Sequence, residues 1–211
     1  IEIIIIDDYS IDGSPSIIKK YANEDSRIIY KINKINKGLT NNFNELFNMS
    51  NGDYFLWSDQ DDYREKTFID KTLKILEENP NSVLCHTETQ VFFKSPKKIF
   101  HINLMKKISE ASSISKRYKN MLWYYNDTNI YGLIRSSALK KTSLWKQMNG
   151  SSNNLLFQLI LLGKFEYINE PLFFYSGKEI LERPSIRKEY ELISKKKSPI
   201  VYSAGLILLK N

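Results

Sequence analysis

The sequence NGDYFLWSDQDD at residues 51–62 places a turn, an apolar strand and three carboxylates in close succession. Its opening Asn-Gly pair is a common turn signal, and the apolar run at residues 54–57 predicts a short buried strand. Asp59, Asp61 and Asp62 follow directly after that run. In an open α/β sheet, ligands bind at the carboxyl ends of the strands. We therefore expect this acidic cluster to lie at a ligand site.

Carboxylates this close together repel one another, so their joint ionisation needs a nearby cation or strong hydrogen-bond donors. Oxygen ligands at this density suit a hard ion such as Mg²⁺ or Mn²⁺, held partly by carboxylate and partly by substrate phosphate. A solvated acidic turn is the alternative interpretation. Asp62 also begins a capping-box pattern with Glu65, which predicts a structural role for it as a helix N-cap. Asp59 and Asp61 are therefore the better ligand candidates.

A second acidic pair, Asp7 and Asp8, follows the β-branched run at residues 1–6. Such a run is typical of a strand that is covered on both faces, as in a parallel sheet. Ser14 is a suitable N-cap for the helix that follows, and Pro15 is a suitable first helical residue. Carboxylates and backbone N–H groups at such a place can bind a ligand together. The alternative is a turn whose acids only cap the helix.

Strand and helix patterns alternate along the rest of the chain and predict an α/β fold, with a mostly parallel central sheet flanked by helices. Residues 94–115 are polar and basic and are predicted to form a mobile loop over the site. Gly163 is predicted to take a left-handed conformation after a helix that contains residues 155–160. The other predicted strands cover residues 27–32, 82–93, 129–135, 165–168 and 173–175, and the other predicted helices cover residues 39–47, 68–76, 117–125, 136–148 and 183–197.

The chain has 211 residues, enough for one α/β domain with a substantial core. Its net charge of +7 favours anionic partners: nucleotide phosphates, a lipid-linked diphosphate acceptor or an acidic membrane face. No motif of a nucleic-acid-binding fold supports nucleic acid as the partner. The single cysteine, Cys85, argues against a disulfide framework and a cysteine-based zinc site, and it fits a reducing compartment. His86 and His101 have no partner at metal-ligand spacing and are interpreted as structural.

The ends of the sequence predict that it is a piece of a longer protein. It starts without Met inside a predicted strand, and residues 205–211 form another apolar run. No apolar run approaches the ~18 residues that a membrane span needs. We expect the protein to work in the cytoplasm, with peripheral association at the inner face of the membrane.

Three motifs occur in a characteristic order: DDYSIDGS at residues 7–14, NKG at 36–38 and GDYFLWSDQDD at 52–62. Their order and spacing resemble the family 2 glycosyltransferases, which have the GT-A fold. NIYGLIRSSALKKT at residues 129–142 and GKFEYINEPLFFY at 163–175 resemble the acceptor-side half of such enzymes.

The resemblance implies a single GT-A-like, Rossmann-like domain over residues 1–211. Residues 1–93 would form the nucleotide-binding half, and residues 94–211 the acceptor-side half. The donor would be a nucleotide-diphosphate sugar, and the acceptor a sugar or a lipid-linked molecule. The reaction would be direct displacement at the anomeric carbon, with inversion, during polysaccharide or glycoconjugate biosynthesis.

The resemblance also implies roles for the motif residues that this chain shares with the family. Asp7 and Asp8 would contact the base and ribose of the nucleotide. Asn36 and Gly38 would lie beside it, and Asp59 would approach the ribose.

The metal-binding role falls on Asp61, which would hold the Mn²⁺ or Mg²⁺ that bridges the diphosphate. A metal there neutralises the charge that develops on the departing nucleoside diphosphate. A carboxylate on the acceptor side would act as general base.

The resemblance also implies that the chain is a fragment, in which the family's first β-strand and following helix, part of the nucleotide pocket, are missing before Ile1. Two positions within the chain also depart from the family pattern. Tyr9 stands where glycine is usual. The family's acidic residue before the acceptor-side helix, the expected base, aligns with Ser152, which we expect at the helix N-cap. Glu166 and Glu170 are the alternative bases. Because a lone serine hydroxyl needs a base of its own, the second functional hypothesis is a catalytically weak domain that binds a nucleotide sugar or a partner.

Overall fold

A computed structural model describes residues 1–92, 99–102, 105–124 and 127–176. A small sheet contains two parallel strands, β1 (Ile3–Asp7) and β2 (Ile28–Ile32). A larger sheet contains β3 (Tyr54–Phe55), β4 (Tyr63–Arg64), β5 (Ser82–Phe92), β6 (Ile99–Ile102), β7 (Leu133–Arg135) and β8 (Lys164–Ser176). The strand order of the larger sheet is β3-β7-β5-β8-β4, and β6 also pairs with β5.

Helices surround these strands and confirm the predicted α/β class. They are α1 (Ser14–Glu24), α2 (Leu39–Met49), α3 (Phe68–Glu78), α4 (Met105–Ser109), α5 (Ile114–Tyr124), α6 (Ser136–Leu139) and α7 (Ser151–Leu162). A 3₁₀ helix covers Asp127–Tyr131. Within the described residues, none of these helices is both long and apolar enough to cross a membrane.

The strand directions correct the prediction of a mostly parallel sheet. In the larger sheet β5 and β8 run parallel, but the pairs β3–β7, β5–β7, β4–β8 and β5–β6 are antiparallel. A fully buried strand is apolar along its whole length whichever way its neighbour runs, so the apolar runs could not give strand direction.

A cluster of buried aromatic side chains lies beneath the end of β3. The ring centroids of Phe55 and Trp57 are 4.6 Å apart, and Phe43 and Trp145 are also 4.6 Å apart. Trp57 and Trp145 meet edge to face at 5.6 Å. Such contacts add about 0.5–1.5 kcal/mol per pair beyond the burial of area. The acidic segment therefore begins directly after a tightly packed residue, Trp57.

Trp145 also explains why the helix predicted at residues 136–148 is wrong beyond its first turn. Its N–H donates to Asn44 Oδ1 and its carbonyl accepts from Asn44 Nδ2, each at 3.0 Å. Leu144 has a positive φ of 54°. These long-range bonds hold the segment after α6 in a non-helical path and insert Trp145 into the core.

The loop predicted at residues 94–115 is wrong in part, because this range contains β6, α4 and the start of α5. Met105 and Ile108 on α4 are buried and attach this segment to the core. Its many lysines are the reason that the sequence predicted a solvated loop. The strand predicted at 129–135 is likewise shorter: its first residues lie in the 3₁₀ helix, and only β7 is extended.

The strands predicted at residues 165–168 and 173–175 are one continuous strand, β8. Pro171 lies in β8 where the register with β5 shifts, at the position opposite Glu88. A proline without an N–H is tolerated at such an irregularity. Gly163 is extended at φ −175°, so the predicted left-handed cap is wrong. Its constraint is steric, because a Cβ there would overlap Val83 Cγ1.

Helix α1 begins at Ser14 itself, and Gly13 occupies the N-cap, so the predicted capping role of Ser14 is wrong by one position. The structural interpretation of His86 is confirmed. Its ring is fully buried, and Nε2 lies 2.8 Å from the carbonyl oxygen of Thr128. Burial lowers the pKa of His86 to about 4. The helix predicted at 183–197 and the apolar run at 205–211 lie outside the described residues.

Candidate functional site

The Asp8 carboxylate organises the loop between β2 and α2. Its Oδ1 accepts hydrogen bonds from the Asn33 side-chain amide at 2.9 Å and the Lys37 N–H at 2.8 Å. Its Oδ2 accepts the Gly38 N–H at 2.9 Å. Partial burial disfavours the charged form, but these donors outweigh it and lower the pKa of Asp8. The Asp8 carboxylate is therefore ionised, and its bond with Gly38 holds it beside the N-terminus of α2.

Gly38 shows why this loop needs glycine. It is the N-cap residue of α2, with φ 77°, and its N–H also lies 3.0 Å from Asn36 Oδ1. No heavy atom lies within 4 Å of the place where a Cβ would be, so the site beside it is open. The structure thus brings three predicted residues, Asp8, Asn36 and Gly38, into one hydrogen-bonded loop.

Asp7 and Tyr9 form the turn on the other side of Asp8. Asp7 is buried, and its Oδ1 accepts the Ser10 N–H at 2.9 Å. Tyr9 is half exposed, with a positive φ of 69°. This is the left-handed region that glycine adopts without steric cost and that other residues adopt at about 1–2 kcal/mol. The backbone therefore keeps the conformation that suits the family's usual glycine although the side chain is a tyrosine.

The acidic loop after β3 is held from two sides. Asp59 is buried, and its Oδ2 accepts the Tyr131 hydroxyl at 3.1 Å. Asp62 Oδ1 accepts the N–H of Ser176, the last residue of β8, at 2.8 Å. Asp61 lies between them, partly exposed. In the described part of the chain, its carboxylate has no hydrogen-bond or ion-pair partner.

The predicted N-cap role of Asp62 is wrong. Helix α3 begins at Phe68 with Thr67 at its N-cap. The residues directly after Asp62 form β4, which pairs with β8 instead of starting a helix. The capping-box pattern matched locally, but the bond from Ser176 comes from more than a hundred positions away and gives Asp62 a different role.

Two carboxyl groups here have raised pKa values. Burial, opposed by the Ser176 N–H and reinforced by the negative charge of Asp59, raises the pKa of Asp62 to about 7. Burial, with Asp59 again contributing, raises the pKa of Asp127 to about 7. Asp127 was not singled out in the sequence, because no motif surrounds it. Its proximity to Asp59 depends on the fold.

Arg64 is a partly buried cation behind the acidic loop. Its guanidinium donates to Ser58 Oγ at 2.6 Å and to the carbonyl oxygens of Trp57 at 2.9 Å and Tyr131 at 3.2 Å. It also lies over the Phe173 ring, 4.6 Å from the centroid. Burial lowers the pKa of Arg64 to about 10, so it stays charged at neutral pH. Arg64 fixes the end of β3 and offsets part of the negative charge beside it.

Ser152 lies in the first turn of α7, but it is not the predicted N-cap. Gly150 occupies that position with φ 72°, and Ser151 precedes Ser152 in the helix. The first turn of α7 contains no acidic residue. Ser152 is partly exposed, and within the described residues it makes no hydrogen bond to any other predicted site residue.

The alternative bases lie along β8, away from its end at Ser176. Glu166 accepts a hydrogen bond from Ser82, at the start of β5, and Glu170 forms an exposed ion pair with Lys71. At about 3.3 Å per strand residue, Glu170 is roughly 20 Å and Glu166 roughly 30 Å along the strand from the contact with Asp62.

The acidic loop suits a metal that takes further ligands from its substrate. Within the described residues, no three His, Cys, Asp or Glu side chains are arranged to hold a metal by themselves. Asp62 Oδ2, however, is buried and has no hydrogen-bond partner among the residues that the structure describes, and Asp61 is its neighbour in the chain. One or two carboxylates, completed by water and phosphate oxygens, are a usual Mg²⁺ environment. The donor set therefore fits a divalent ion shared with a phosphate ligand.

Comparison with known proteins identifies the family to which this α/β fold, with its acidic loops after two strands, belongs. The model of the family described as "Glycosyl transferase family 2" matches residues 1–146, more than half of the chain. The chain belongs to glycosyltransferase family 2, as its motifs predicted.

Among curated relatives, the chain is 25% identical over 188 residues to "Glycosyltransferase GlyA" of Streptococcus pneumoniae serotype 4, covering 88% of this chain and 26% of that protein. It is 33% identical over 86 residues to "Putative glycosyltransferase EpsH" of Bacillus subtilis, covering 41% and 25% respectively. The chain thus spans about a quarter of the length of these relatives.

Solved structures show the same fold. Staphylococcus aureus TarS 1-349 in complex with UDP matches with a TM-score of 0.61 and 16% identity, over 83% of this chain and 51% of that one. The mannosyltransferase PcManGT of Pyrobaculum calidifontis, in complex with GDP-Man and Mn²⁺, matches with a TM-score of 0.56 and 12% identity, over 94% and 56% respectively. These neighbours are glycosyltransferases, and at these identities they establish the GT-A fold alone.

Proposed function

We propose that this chain is a metal-dependent glycosyltransferase domain, which transfers a sugar from a nucleotide-diphosphate sugar to an acceptor hydroxyl. The observation that carries the proposal is the pair of strand-end loops, one ordered around ionised Asp8 and the other rich in acids around Asp61. Family membership and the nucleotides bound by TarS and PcManGT support it.

In this proposal each loop residue has its own role in nucleotide binding. Asp8 accepts hydrogen bonds from Asn33, Lys37 and Gly38, so it fixes the loop beside which the base and ribose would lie. Asp7 and Asp59 complete the nucleotide contacts. Residues 1–93 then form the nucleotide-binding half and residues 94–211 the acceptor-side half of one domain.

Asp61, with Mn²⁺ or Mg²⁺, is the proposed metal ligand. When bound, the ion would neutralise negative charge on the departing nucleoside diphosphate. Arg64 and Tyr131 hold the acidic loop at the end of β3, so the Asp61 carboxylate does not have to be ordered by the ligand. Transfer by direct displacement inverts the anomeric carbon. We further propose a sugar or lipid-linked acceptor, as used in polysaccharide or glycoconjugate assembly in the cytoplasm.

Calorimetric titration with UDP and GDP, with and without Mn²⁺, tests the metal assignment. Asp61→Asn should remove the Mn²⁺-dependent gain in affinity, a loss of at least about 100-fold, because even outer-shell partners of metal ligands are worth about 10–100-fold. Asp53→Asn, an exposed acid just before β3, is the matched control and should bind as the wild type does. If Asp61→Asn keeps the full Mn²⁺ effect, the ligand is another residue. If the wild type binds neither nucleotide, the functional proposal is wrong.

The second candidate function is a catalytically weak domain that binds a nucleotide sugar or a partner, and the acid-free first turn of α7 favours it. Since general-base catalysis contributes about 10²–10⁴-fold, Ser152→Asp should raise transfer or donor hydrolysis by up to that factor. An acidic residue is favourable in the first turn of a helix, so stability should change little.

Asn154→Asp is the matched control for Ser152→Asp. It adds the same charge to the same turn but points about 200° away around the helix. A gain in rate confined to Ser152→Asp supports the weak-domain hypothesis. If the wild type already turns over at ordinary rates and Ser152→Asp gives no gain, the base lies elsewhere in the full protein.

A further inference from the structure

Carboxyl groups are scarce on the acceptor side of the site. The described residues of the acceptor-side half contain four acids, which are Glu110, Asp127, Glu166 and Glu170. Glu110 is exposed directly after α4, and the two glutamates of β8 lie far from the acidic loop. Asp127 is different, because the negative charge of Asp59 acts on its carboxyl group. Among these four acids, it is the one for which the structure gives a neighbour in the acidic loop.

The 3₁₀ helix fixes Asp127 next to that loop. Asp127 is the first residue of this helix, and Tyr131 is the last. The Tyr131 hydroxyl donates to Asp59 Oδ2 at 3.1 Å, and the Tyr131 carbonyl oxygen accepts from Arg64 at 3.2 Å. Because a 3₁₀ helix rises about 2 Å per residue, the backbones of its two ends are about 8 Å apart. Asp127 therefore begins one short helix away from a buried contact with the acidic loop.

Contacts with β5 place Asp127 nearer to the acidic loop than the acids of β8. The hydroxyl oxygen of its neighbour Thr128 lies 3.5 Å from that of Thr89. In the sheet, Thr89 is opposite Phe173, three residues before Ser176 at the end of β8. At about 3.3 Å per residue, this position is roughly 10 Å along the strand from the bond between Ser176 and the acidic loop. That is at most about half the distance of either glutamate on β8.

The Asp127 side chain also has suitable chemistry for proton transfer. It accepts the backbone N–H of Thr128, which orients the carboxyl group, and the residue is only partly buried, so a hydroxyl group can reach it. Burial and the charge of Asp59 raise the pKa of Asp127 to about 7. A base is most effective when its pKa lies near the pH at which the reaction takes place.

We propose that Asp127 is the general base of the transfer reaction, in place of the acid that the first turn of α7 lacks. Its carboxylate takes the proton of the acceptor hydroxyl while the hydroxyl oxygen forms a bond to the anomeric carbon. The bond from that carbon to the diphosphate oxygen breaks, and its electron pair leaves with the nucleoside diphosphate. This inference rests on the proposed transferase function and names a catalytic residue for it.

Donor turnover by the full protein tests this role. UDP-glucose and GDP-mannose serve as donors with Mn²⁺, and release of UDP or GDP measures hydrolysis, in which water replaces the acceptor hydroxyl. Asp127→Asn should lower kcat about 10²–10⁴-fold, the usual contribution of a general base. Its Kd for UDP or GDP, measured by calorimetry, should stay within about twofold of the wild type, because the proposed base contacts the acceptor and not the nucleotide.

Two further variants separate catalysis from structure. Asp127→Ser keeps an acceptor for the Thr128 N–H but has no base, so it should lose as much rate as Asp127→Asn while it stays folded. Glu110→Gln makes the same change of charge at an exposed acid and should keep the wild-type kcat.

The outcomes distinguish this inference from the proposed function. Wild-type rates in Asp127→Asn and Asp127→Ser would overturn the inference and leave the transferase function intact. A loss of nucleotide affinity as large as the loss of kcat would also overturn it, because Asp127 would then support the loop of Asp59 instead of moving a proton. So would a wild type that binds UDP or GDP but hydrolyses neither donor. A wild type that binds no nucleotide would overturn the proposed function and this inference with it.

Discussion

Asp8 and Asp62 each follow a strand in the candidate site, yet the pKa values of their carboxyl groups shift in opposite directions. Asp8 receives N–H donors on both oxygens, and they lower its pKa despite partial burial. Asp62 receives the Ser176 N–H on one oxygen and faces the charge of Asp59, and burial raises its pKa to about 7. The carboxylate after β1 thus has donors on both oxygens, whereas the loop after β3 keeps negative charge that Arg64 offsets only in part.

This difference explains how two acidic loops can have different functions. A carboxylate whose oxygens are filled by backbone donors has little capacity left for a metal and acts as a support for its loop. A carboxylate with an unfilled buried oxygen gains most from a cation, because the cation removes both the repulsion and the missing contact. The contrast can be tested one residue at a time.

The largest stability effect is expected for Asp8→Asn. The amide would keep one acceptor oxygen but turn an NH₂ group toward a backbone N–H, which should cost about 2–3 kcal/mol of unfolding free energy. Because the folded pKa lies below the unfolded value of 3.8, the wild type's advantage should be present above about pH 4 and should disappear as the pH falls through the folded pKa.

Urea unfolding at several pH values measures the effect of Asp8→Asn. Asp12→Asn in the same loop is the control, because its oxygen can still accept the Ser14 N–H, which lies at 2.9 Å in the wild type. If both variants lose equal stability, Asp8 does not organise the loop between β2 and α2.

Asp62→Asn should change the free energy of unfolding in the opposite direction, toward higher stability. The folded pKa of about 7 exceeds the unfolded value of 3.8, so wild-type stability should fall as the pH rises between these values. The amide keeps an acceptor for Ser176 and removes the charge. In a chelator, Asp62→Asn should therefore be more stable than the wild type by about 1 kcal/mol near pH 8, after allowance for solvent screening.

Thermal unfolding of the wild type and Asp62→Asn across the pH range tests that sign. The difference should shrink to nothing below about pH 4, where the carboxyl group is protonated in both states. Added Mn²⁺ should stabilise the wild type more than Asp62→Asn, because the variant lacks the second carboxylate beside Asp61. A pH-independent difference would contradict the raised pKa.

The smallest effect is expected for Tyr9→Gly. Glycine relieves a positive φ of 69° but adds entropy to the unfolded chain, so the net gain should be up to about 1 kcal/mol. Tyr9→Ala is the control, because it removes the ring and keeps the steric cost of the backbone. Equal unfolding midpoints for the two variants would show that the ring, and not the backbone, determines stability here.

Local sequence patterns identified much of the fold. The acidic segments after β1 and β3, the buried run at Trp57 and helices α2, α3 and α7 were all visible as periodicity or composition. These features arise from residues close together in the chain, where strand and helix periods are reliable signals. The strand directions, the continuity of β8 and the early end of α6 were not visible, because partners distant in sequence determine them.

Asp62 and Trp145 show how distant partners overrode local signals. Asp62 fits a capping box, but β4 pairs with β8 and brings Ser176 to it. Trp145 lies in a segment with a helical pattern, but Asn44 binds both polar groups of its backbone. Arg64 and Asp127 were missed for the same reason, because their proximity to the acidic loop exists only after folding. The predicted roles of the nucleotide and metal residues remain predictions.

The unbroken β8 strand constrains how this sequence can change in length. Its thirteen residues connect the end of α7 with the amide that binds Asp62. Inserting or deleting one residue would shift that amide by about 3.3 Å and reverse which side chains face the core. Among homologous chains, insertions and deletions should therefore collect in the connections between elements, and the span from Lys164 to Ser176 should stay constant in length.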